Sequence, residues 1–147
     1  MTLYTRDILR LAVSIPHLGR LERPDGSAER QSRLCGSRVT VDVRLRDGRI
    51  AGIGLELSAC ALGQASANLL ATHAIGRSGD DIAAARDQFR QYLEGESEDP
   101  GAWPGLGLFA AARDYPARHA AILLPFDAAA AAADAPGAVE EHMRVRS

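Results

Sequence analysis

The sequence predicts an α+β domain: a small antiparallel sheet of about three strands, packed on one face by α-helices. Two adjacent segments alternate apolar and polar residues with Asp47-Gly48 between them, which is typical of a β-hairpin. Several segments after the hairpin have apolar residues at helical spacing. Because the apolar side chains of the hairpin share one face, helices must cover that face.

Length and composition point to one domain. A chain of 147 residues buries about two-thirds of its unfolded surface, which is enough for one core and marginal for two. Only 5% of the residues are aromatic, so Ala, Leu, Val and Ile must build the core. We expect a single domain over residues 1–135 and a flexible C-terminal tail over 136–147.

Charge and hydropathy argue against two classes of partner. A net charge of -2 shows no clustered basic excess, which argues against nucleic-acid binding. The N-terminal segment carries Arg6, Asp7 and Arg10, so it predicts an amphipathic helix rather than a signal peptide. No run approaches the roughly 18 apolar residues of a membrane span. We therefore expect a cytoplasmic protein with no membrane partner, in which Cys35 and Cys60 are reduced thiols.

The N-terminal third predicts a helix, a loop and then the hairpin. The helix ends near Pro16, and the polar segment 17–33 is a loop with room for a short edge strand. A two-residue Asp47-Gly48 turn would place Ile53 beside Asp42 on the solvent face. A three-residue loop over 46–48 avoids this conflict by pairing Val41 with Ile53 and Val39 with Leu55.

Four helical segments follow the hairpin. The first runs from about 61 to 75 and stops at Gly76, and the second begins at a capping box that starts with Ser78. An acidic loop over 94–104 leads to a short helix near 106–114 and a final helix from about 117 to 134.

Cys60 follows a strand and falls in the first turn of a helix, with Ser58 as the expected N-cap. Backbone N–H groups at a helix N-terminus favour an anion and hence the thiolate form. This setting is typical of a reactive or metal-binding cysteine. A small buried hydrophobic residue is an equally good interpretation of Cys60 by itself.

Cys35 directly precedes the first strand of the hairpin. Since the start of one antiparallel strand lies beside the end of the next, Cys35 and Cys60 should meet at one end of the sheet. His119, beside Arg118, is a further residue that could carry chemistry. Motifs of nucleotide hydrolysis, serine hydrolases and zinc ribbons are absent from the sequence.

Three stretches together resemble one known family. They are Leu34-Cys35-Gly36 with the hairpin that follows, the segment Cys60 to Ala67, and the segment Tyr115 to Phe126. The resemblance covers roughly residues 5–134 and is to the iron–sulfur cluster assembly scaffolds of the IscU, SufU and NifU N-terminal type, closest to the SufU branch. It implies a scaffold or sulfur acceptor, rather than an enzyme, that works with a cysteine desulfurase.

The resemblance also implies a ligand set, which is incomplete here. Cys35 and Cys60 match the first two family cysteines and are the expected cluster-binding residues. Ser37, a weak ligand, stands at the family aspartate position, and the third cysteine falls on Ala121, or on Ala120 under a one-residue shift. An iron–sulfur cluster or zinc is thus implied, but two of four ligands are replaced, which predicts impaired metal binding.

Three functions stay open on the sequence alone. The first is a scaffold that holds sulfur or a cluster on Cys60 and Cys35, with His119 or the second subunit of a homodimer supplying missing ligands. The second is a metal-free interaction or regulatory module of the assembly machinery. The third is a dithiol redox protein that uses Cys35 and Cys60 as a pair.

Overall fold

A computed structural model describes residues 3–34 and 36–146, with side chains described as far as residue 134. Its strands form one antiparallel sheet in the order β1-β2-β3, which confirms the predicted fold class. The elements are α1 (Arg6–Ala12), β1 (Gly26–Gln31), β2 (Arg38–Arg46), β3 (Arg49–Ser58), α2 (Ala61–His73), α3 (Gly79–Leu93), two 3₁₀ helices (Leu106–Asp114 and Pro116–Arg118) and α4 (His119–Arg146).

The β2–β3 hairpin closes with a two-residue turn at Asp47-Gly48, in place of the predicted three-residue loop. Asp47 and Gly48 have φ values of 54° and 76°, as a type I′ turn requires. A β-bulge opposite Arg44 and Leu45 then shifts the register by one residue. The predicted three-residue loop was wrong. The bulge shifts the register by one residue after the two-residue turn, and this shift places the apolar side chains of both strands on one face.

Beyond the bulge, the strands pair two residues away from the predicted register. Val41 lies opposite Leu55, and Val43 lies opposite Ile53. All four side chains are buried, and α4 crosses this apolar face of the sheet. A cluster of edge-to-face rings fills the space between α3, α4 and the 3₁₀ segment, and its members are Phe89, Trp103, Phe109 and Phe126.

Hydrogen bonds from two side chains fix α2 between α1 and α4. Asn68 Nδ2 donates to the carbonyls of Leu11 and Ser14, at 2.9 and 3.0 Å, where α1 ends and its carbonyls lack helical partners. The buried Ser66 hydroxyl donates to the carbonyl of Ile122 on α4 at 2.5 Å. These contacts hold the helix whose first turn follows Cys60.

The helix boundaries agree with the sequence at some ends and differ at others. Ser78 caps α3 through the expected capping box with Asp81. The helix α2 ends at His73, and the chain then turns at Gly76, whose φ is 90°. The helix α4 continues to Arg146, past the predicted end near 134, while the division into a domain and a tail stays a prediction. Among the described residues, no helix is both long and apolar enough to cross a membrane.

The segment 17–21, called here the strap, folds over the polar face of the sheet. It buries Asp42, whose side chain has no solvent exposure, so the predicted solvent-facing position was wrong. Arg20 donates two hydrogen bonds to this carboxylate, at 2.7 and 3.0 Å, and the Ser27 hydroxyl and the Leu21 backbone N–H donate one each. Burial raises the pKa of Asp42, but these hydrogen bonds outweigh it and hold the pKa below its ordinary value.

Gly54 lies beneath the strap, and we expect Gly54→Ala to lower the free energy of unfolding by about 1–3 kcal/mol. A Cβ at this position would collide with the carbonyl oxygen of Gly19 and lie 3.2 Å from Leu21. Gly52→Ala is the matched control, since its Cβ would meet only Arg44 at an ordinary 3.7 Å. Urea unfolding measures both variants, and equal losses of stability would contradict this close approach of the strap.

Candidate functional site

Cys60 is the N-cap of α2. Its backbone is extended (φ -66°, ψ 169°), its carbonyl accepts from the Gln64 N–H at 2.9 Å, and its half-buried side chain makes no capping hydrogen bond. Ser58 is instead the last residue of β3, so the prediction that it caps the helix was wrong. The side chain at an N-cap is the one closest to the unpaired N–H groups of the first turn. Cys60 thus stands where the helix favours a negatively charged group.

A cleft of about 190 Å³ opens at Cys60. It forms because the β2–β3 pairing places Arg38 opposite Ser58, which brings the loop before β2 beside the start of α2. The 3₁₀ turn Pro116–Arg118, directly before α4, completes the wall. Among the described residues, those that line the cleft are Gly36, Ser37, Ser58, Ala59, Cys60 and Arg118.

The β1–β2 loop reaches this cleft through the two residues that follow position 35. Backbone hydrogen bonds close the loop, from Gly36 N–H to the Ser32 carbonyl at 2.9 Å and from Ser32 N–H to the Ser37 carbonyl at 2.8 Å. Gly36 has φ 70°, which favours glycine. Cys35 itself lies outside the described residues, so its approach to Cys60 stays a prediction. Its neighbour Gly36 lines the Cys60 cleft.

Arg118 is a charged residue of the cleft that was not among the predicted site residues. It stands at the end of the 3₁₀ turn Pro116–Arg118, half-buried, and it makes no ion pair within the described part of the chain. It lies in the segment Tyr115 to Phe126 that carries the family resemblance, but its sequence distance from Cys60 gave no signal of contact. It adds a positive charge to the wall of a cleft that contains a thiol.

His119, the proposed substitute ligand, has one ring nitrogen engaged. Its Nε2 lies 2.7 Å from the carbonyl oxygen of Ala112, an arrangement in which Nε2 carries the proton and donates. Coordination by this imidazole would therefore come through Nδ1. His119 is not among the residues that line the cleft, and its role as a ligand stays a prediction.

Comparison with known proteins identifies the fold at high coverage. No family model matches the chain. The N-terminal domain of a NifU-like protein from Brucella abortus, a solved structure, is 39% identical, with a TM-score of 0.86 over 92% of this chain and 95% of that one. The chain belongs to the IscU/NifU-like scaffold family. The resemblance inferred from the sequence is confirmed.

A further relative and a further solved structure are similar to this chain. The iron–sulfur cluster assembly scaffold protein IscU of Thermotoga maritima is 27% identical over 122 residues, which are 83% of this chain and 86% of that protein. A structure assigned to a SUF-system scaffold from Fervidobacterium islandicum has a TM-score of 0.82 at 22% identity, covering 89% of this chain and 96% of that one. The latter supports the fold alone, and placement in the SufU branch stays a prediction.

In this IscU/NifU-like domain, Ala121 lies where the resemblance implies the third cysteine. It is 1% exposed, and its carbonyl oxygen would lie 3.3 Å from a Cβ placed on Gly63, in the first turn of α2. The position therefore lies against the helix turn that follows Cys60. Alanine offers no ligand atom there.

The described side chains do not form a closed metal site. Within residues 3–34 and 36–134, no three His, Cys, Asp or Glu side chains come close enough together to hold a metal ion. Ser37 is buried beside Cys60, and a neutral hydroxyl is a poor ligand for iron or zinc at pH 7. The donors of the described chain thus do not fit the four-ligand arrangement of a structural zinc site.

Proposed function

We propose that this IscU/NifU-like domain is a scaffold in iron–sulfur cluster assembly that accepts sulfur at Cys60 from a cysteine desulfurase in the cytoplasm. The observation that carries the proposal is the position of Cys60, at a helix N-terminus in an open cleft beside Arg118. The similar protein of Thermotoga maritima is an iron–sulfur cluster assembly scaffold, which supports the same assignment.

The chemistry needs one nucleophilic sulfur and a place for negative charge. The Cys60 thiolate attacks the outer sulfur of a persulfide on the donor protein. The sulfur–sulfur bond of the donor breaks, a new one forms on Cys60, and the donor cysteine leaves as a thiolate, so no external oxidant or reductant is consumed. The N–H groups of α2 and the Arg118 guanidinium can stabilise the anionic sulfur while it is transferred.

A cluster is the cargo of such a scaffold, and its retention depends on the ligands around Cys60. Four good ligands are worth roughly 10–16 kcal/mol for structural zinc, so each supplies on the order of a few kcal/mol. Ser37 and Ala121 replace two family ligands, so this chain would hold a metal or cluster weakly by itself. Cys35, His119 or a second subunit would supply the remaining ligands.

A second candidate function is a metal-free module that docks to the assembly machinery without holding a cluster. The buried Ala121 favours it, because this position lies against the first turn of α2 and has no donor atom. The scaffold and the metal-free module would share the same fold and the same desulfurase partner. They differ in whether the chain binds iron and sulfide.

Anaerobic reconstitution distinguishes the two candidates. Wild-type chain incubated with iron, sulfide and a reductant is expected to show charge-transfer absorption with bound iron and acid-labile sulfide, and Cys60→Ala is expected to lose all three. Ser58→Ala is the matched control, since it alters the same cleft and keeps the thiol. If the wild-type product is colourless and free of iron but still binds a desulfurase, the metal-free module and not the scaffold is the function of this chain.

A further inference from the structure

The outer edge of β3 is only partly covered. β3 is the last strand of the sheet, and the strap pairs with it in parallel at Leu55. Leu55 N–H donates to the His17 carbonyl at 3.0 Å, and the Leu55 carbonyl accepts from Gly19 N–H at 2.7 Å. The strap then leaves the edge and crosses the sheet toward Asp42.

Beyond the strap, the edge of β3 is open at Leu57. In an antiparallel pair, alternate residues direct their backbone groups to opposite sides, so the N–H and C=O of Leu57 point outward like those of Leu55. In the part of the chain that the structure describes, no hydrogen bond from outside the sheet reaches either group. Such an edge is a template for another extended segment.

A groove of about 510 Å³ lies over the polar face of the sheet, from Glu29 on β1 across β2 to Leu57 and Ser58 on β3, and so borders this open edge. Ser58 lines both the groove and the Cys60 cleft, so the two depressions meet. Leu57 and Cys60 are three residues apart, roughly 10 Å of extended chain. A segment of three or four residues beside Leu57 would therefore reach the thiol.

The groove also has a side-chain preference. Leu18 is 62% exposed and offers an apolar contact. Arg20 is neutralised by the buried Asp42 beneath it, so Glu29, Glu56 and Arg38 are the remaining charges of the groove, and two negative charges face one positive charge. The Glu29–Arg38 contact is long, at 3.9 Å, with both side chains more than half exposed, so it contributes little. The groove thus suits a segment with one apolar and one basic side chain.

We propose that an extended segment of the sulfur-donating partner adds as a short strand to the edge of β3 at Leu57 and carries the donor sulfur toward Cys60. This inference rests on the proposed function, because it names how the partner docks. The unpaired backbone groups require an extended chain, and the strap already binds Leu55 in this way. Glu56, on β3 itself, complements a basic side chain that the segment directs over the polar face of the sheet.

Leu57→Pro tests the inference, with Leu57→Ala as its matched control. Proline removes the outward N–H and spares the hydrogen bonds to β2, since proline is tolerated on an edge whose N–H faces outward. Alanine loses the side chain and keeps the N–H. We expect a cysteine desulfurase supplied with cysteine to transfer sulfur to Leu57→Pro about tenfold more slowly than to Leu57→Ala. Both should accept sulfur equally from glutathione persulfide, which needs no docking.

Hydrogen exchange on the wild-type chain gives a second measurement that does not depend on how the proline variant folds. The Leu57 amide is expected to exchange freely in the isolated chain and to slow about tenfold or more in the desulfurase complex. Equal transfer rates for Leu57→Pro and Leu57→Ala, or an unprotected Leu57 amide in the complex, would overturn the inference while the scaffold function stands. A wild-type chain that accepts no sulfur from the desulfurase would overturn the proposed function and this inference with it.

Discussion

Cys60→Ser is expected to reduce sulfur uptake from a cysteine desulfurase by about 100-fold or more, while the fold is retained. Serine is a favourable N-cap residue, so the variant should keep α2 and gain up to about 1 kcal/mol of stability. Its hydroxyl, however, is a far weaker nucleophile toward a persulfide than the sulfur of a cysteine. Radiolabelled cysteine supplied to the desulfurase measures the sulfur transferred to each chain.

Ser58→Ala is the control for the loss of uptake in Cys60→Ser. Ser58 lines the same cleft and has no thiol, so its substitution should leave sulfur uptake within about twofold of wild type. Circular dichroism and thermal unfolding establish that both variants are folded. Uptake by Cys60→Ser equal to that of wild type would show that another group receives the sulfur.

Asp42→Ala is expected to lower the free energy of unfolding by about 2–4 kcal/mol, the largest stability effect that we expect from a single polar side chain here. The carboxylate is fully buried and accepts four hydrogen bonds, two of them from Arg20. A hydrogen bond to a charged group contributes about 1.5–3 kcal/mol. Arg20 is half exposed and can recover water contacts, which keeps the loss below the sum of the four.

Two variants accompany Asp42→Ala in urea unfolding. Glu56→Ala removes an exposed carboxylate from the same face of the sheet and should change stability by no more than about 0.5 kcal/mol. Asp42→Asn keeps the size but loses the charge, so its stability should lie between those of wild type and Asp42→Ala. Equal stabilities for Asp42→Ala and Glu56→Ala would contradict the buried network.

The contribution of Asp42 also depends on pH. Hydrogen bonds hold its pKa in the folded chain below the ordinary value of 3.8. The unfolded state therefore binds the proton more tightly, and stability falls as pH drops. The advantage of wild type over Asp42→Asn should be constant above about pH 5 and shrink as pH falls below 3.8 toward the folded-state pKa. If the stability advantage of wild type over Asp42→Asn grew as pH fell, the pKa of Asp42 could not be lowered in the folded chain.

The sequence predicted those elements whose formation depends on residues close together in the chain. Alternation revealed β2 and β3, and the spacing of Ser78 and Asp81 revealed the start of α3. The hairpin register could not be obtained in this way, because the bulge opposite Leu45 leaves no mark in the alternation. The predicted solvent exposure of Asp42 was wrong because the strap covers this side chain. The strap lies about 20 residues earlier in the sequence, and its hydrogen bonds to the Asp42 carboxylate leave no local signal.

The candidate site was predictable only where neighbours in sequence form it. The place of Cys60 at the start of a helix followed from the small helix-forming residues after it, although Ser58 proved to belong to β3. Arg118 was missed because the packing of α4 against α2 brings it to the cleft from more than 50 residues away. The roles of Cys35 and His119 stay predictions.

Site mapping on the wild-type chain tests the central claim most directly. The chain is incubated with a cysteine desulfurase and cysteine, its thiols are alkylated, and peptide mass spectrometry locates the transferred sulfur. We predict a persulfide on the peptide that contains Cys60. Sulfur found on the Cys35 peptide alone, with Cys60 unmodified throughout the time course, would contradict the account.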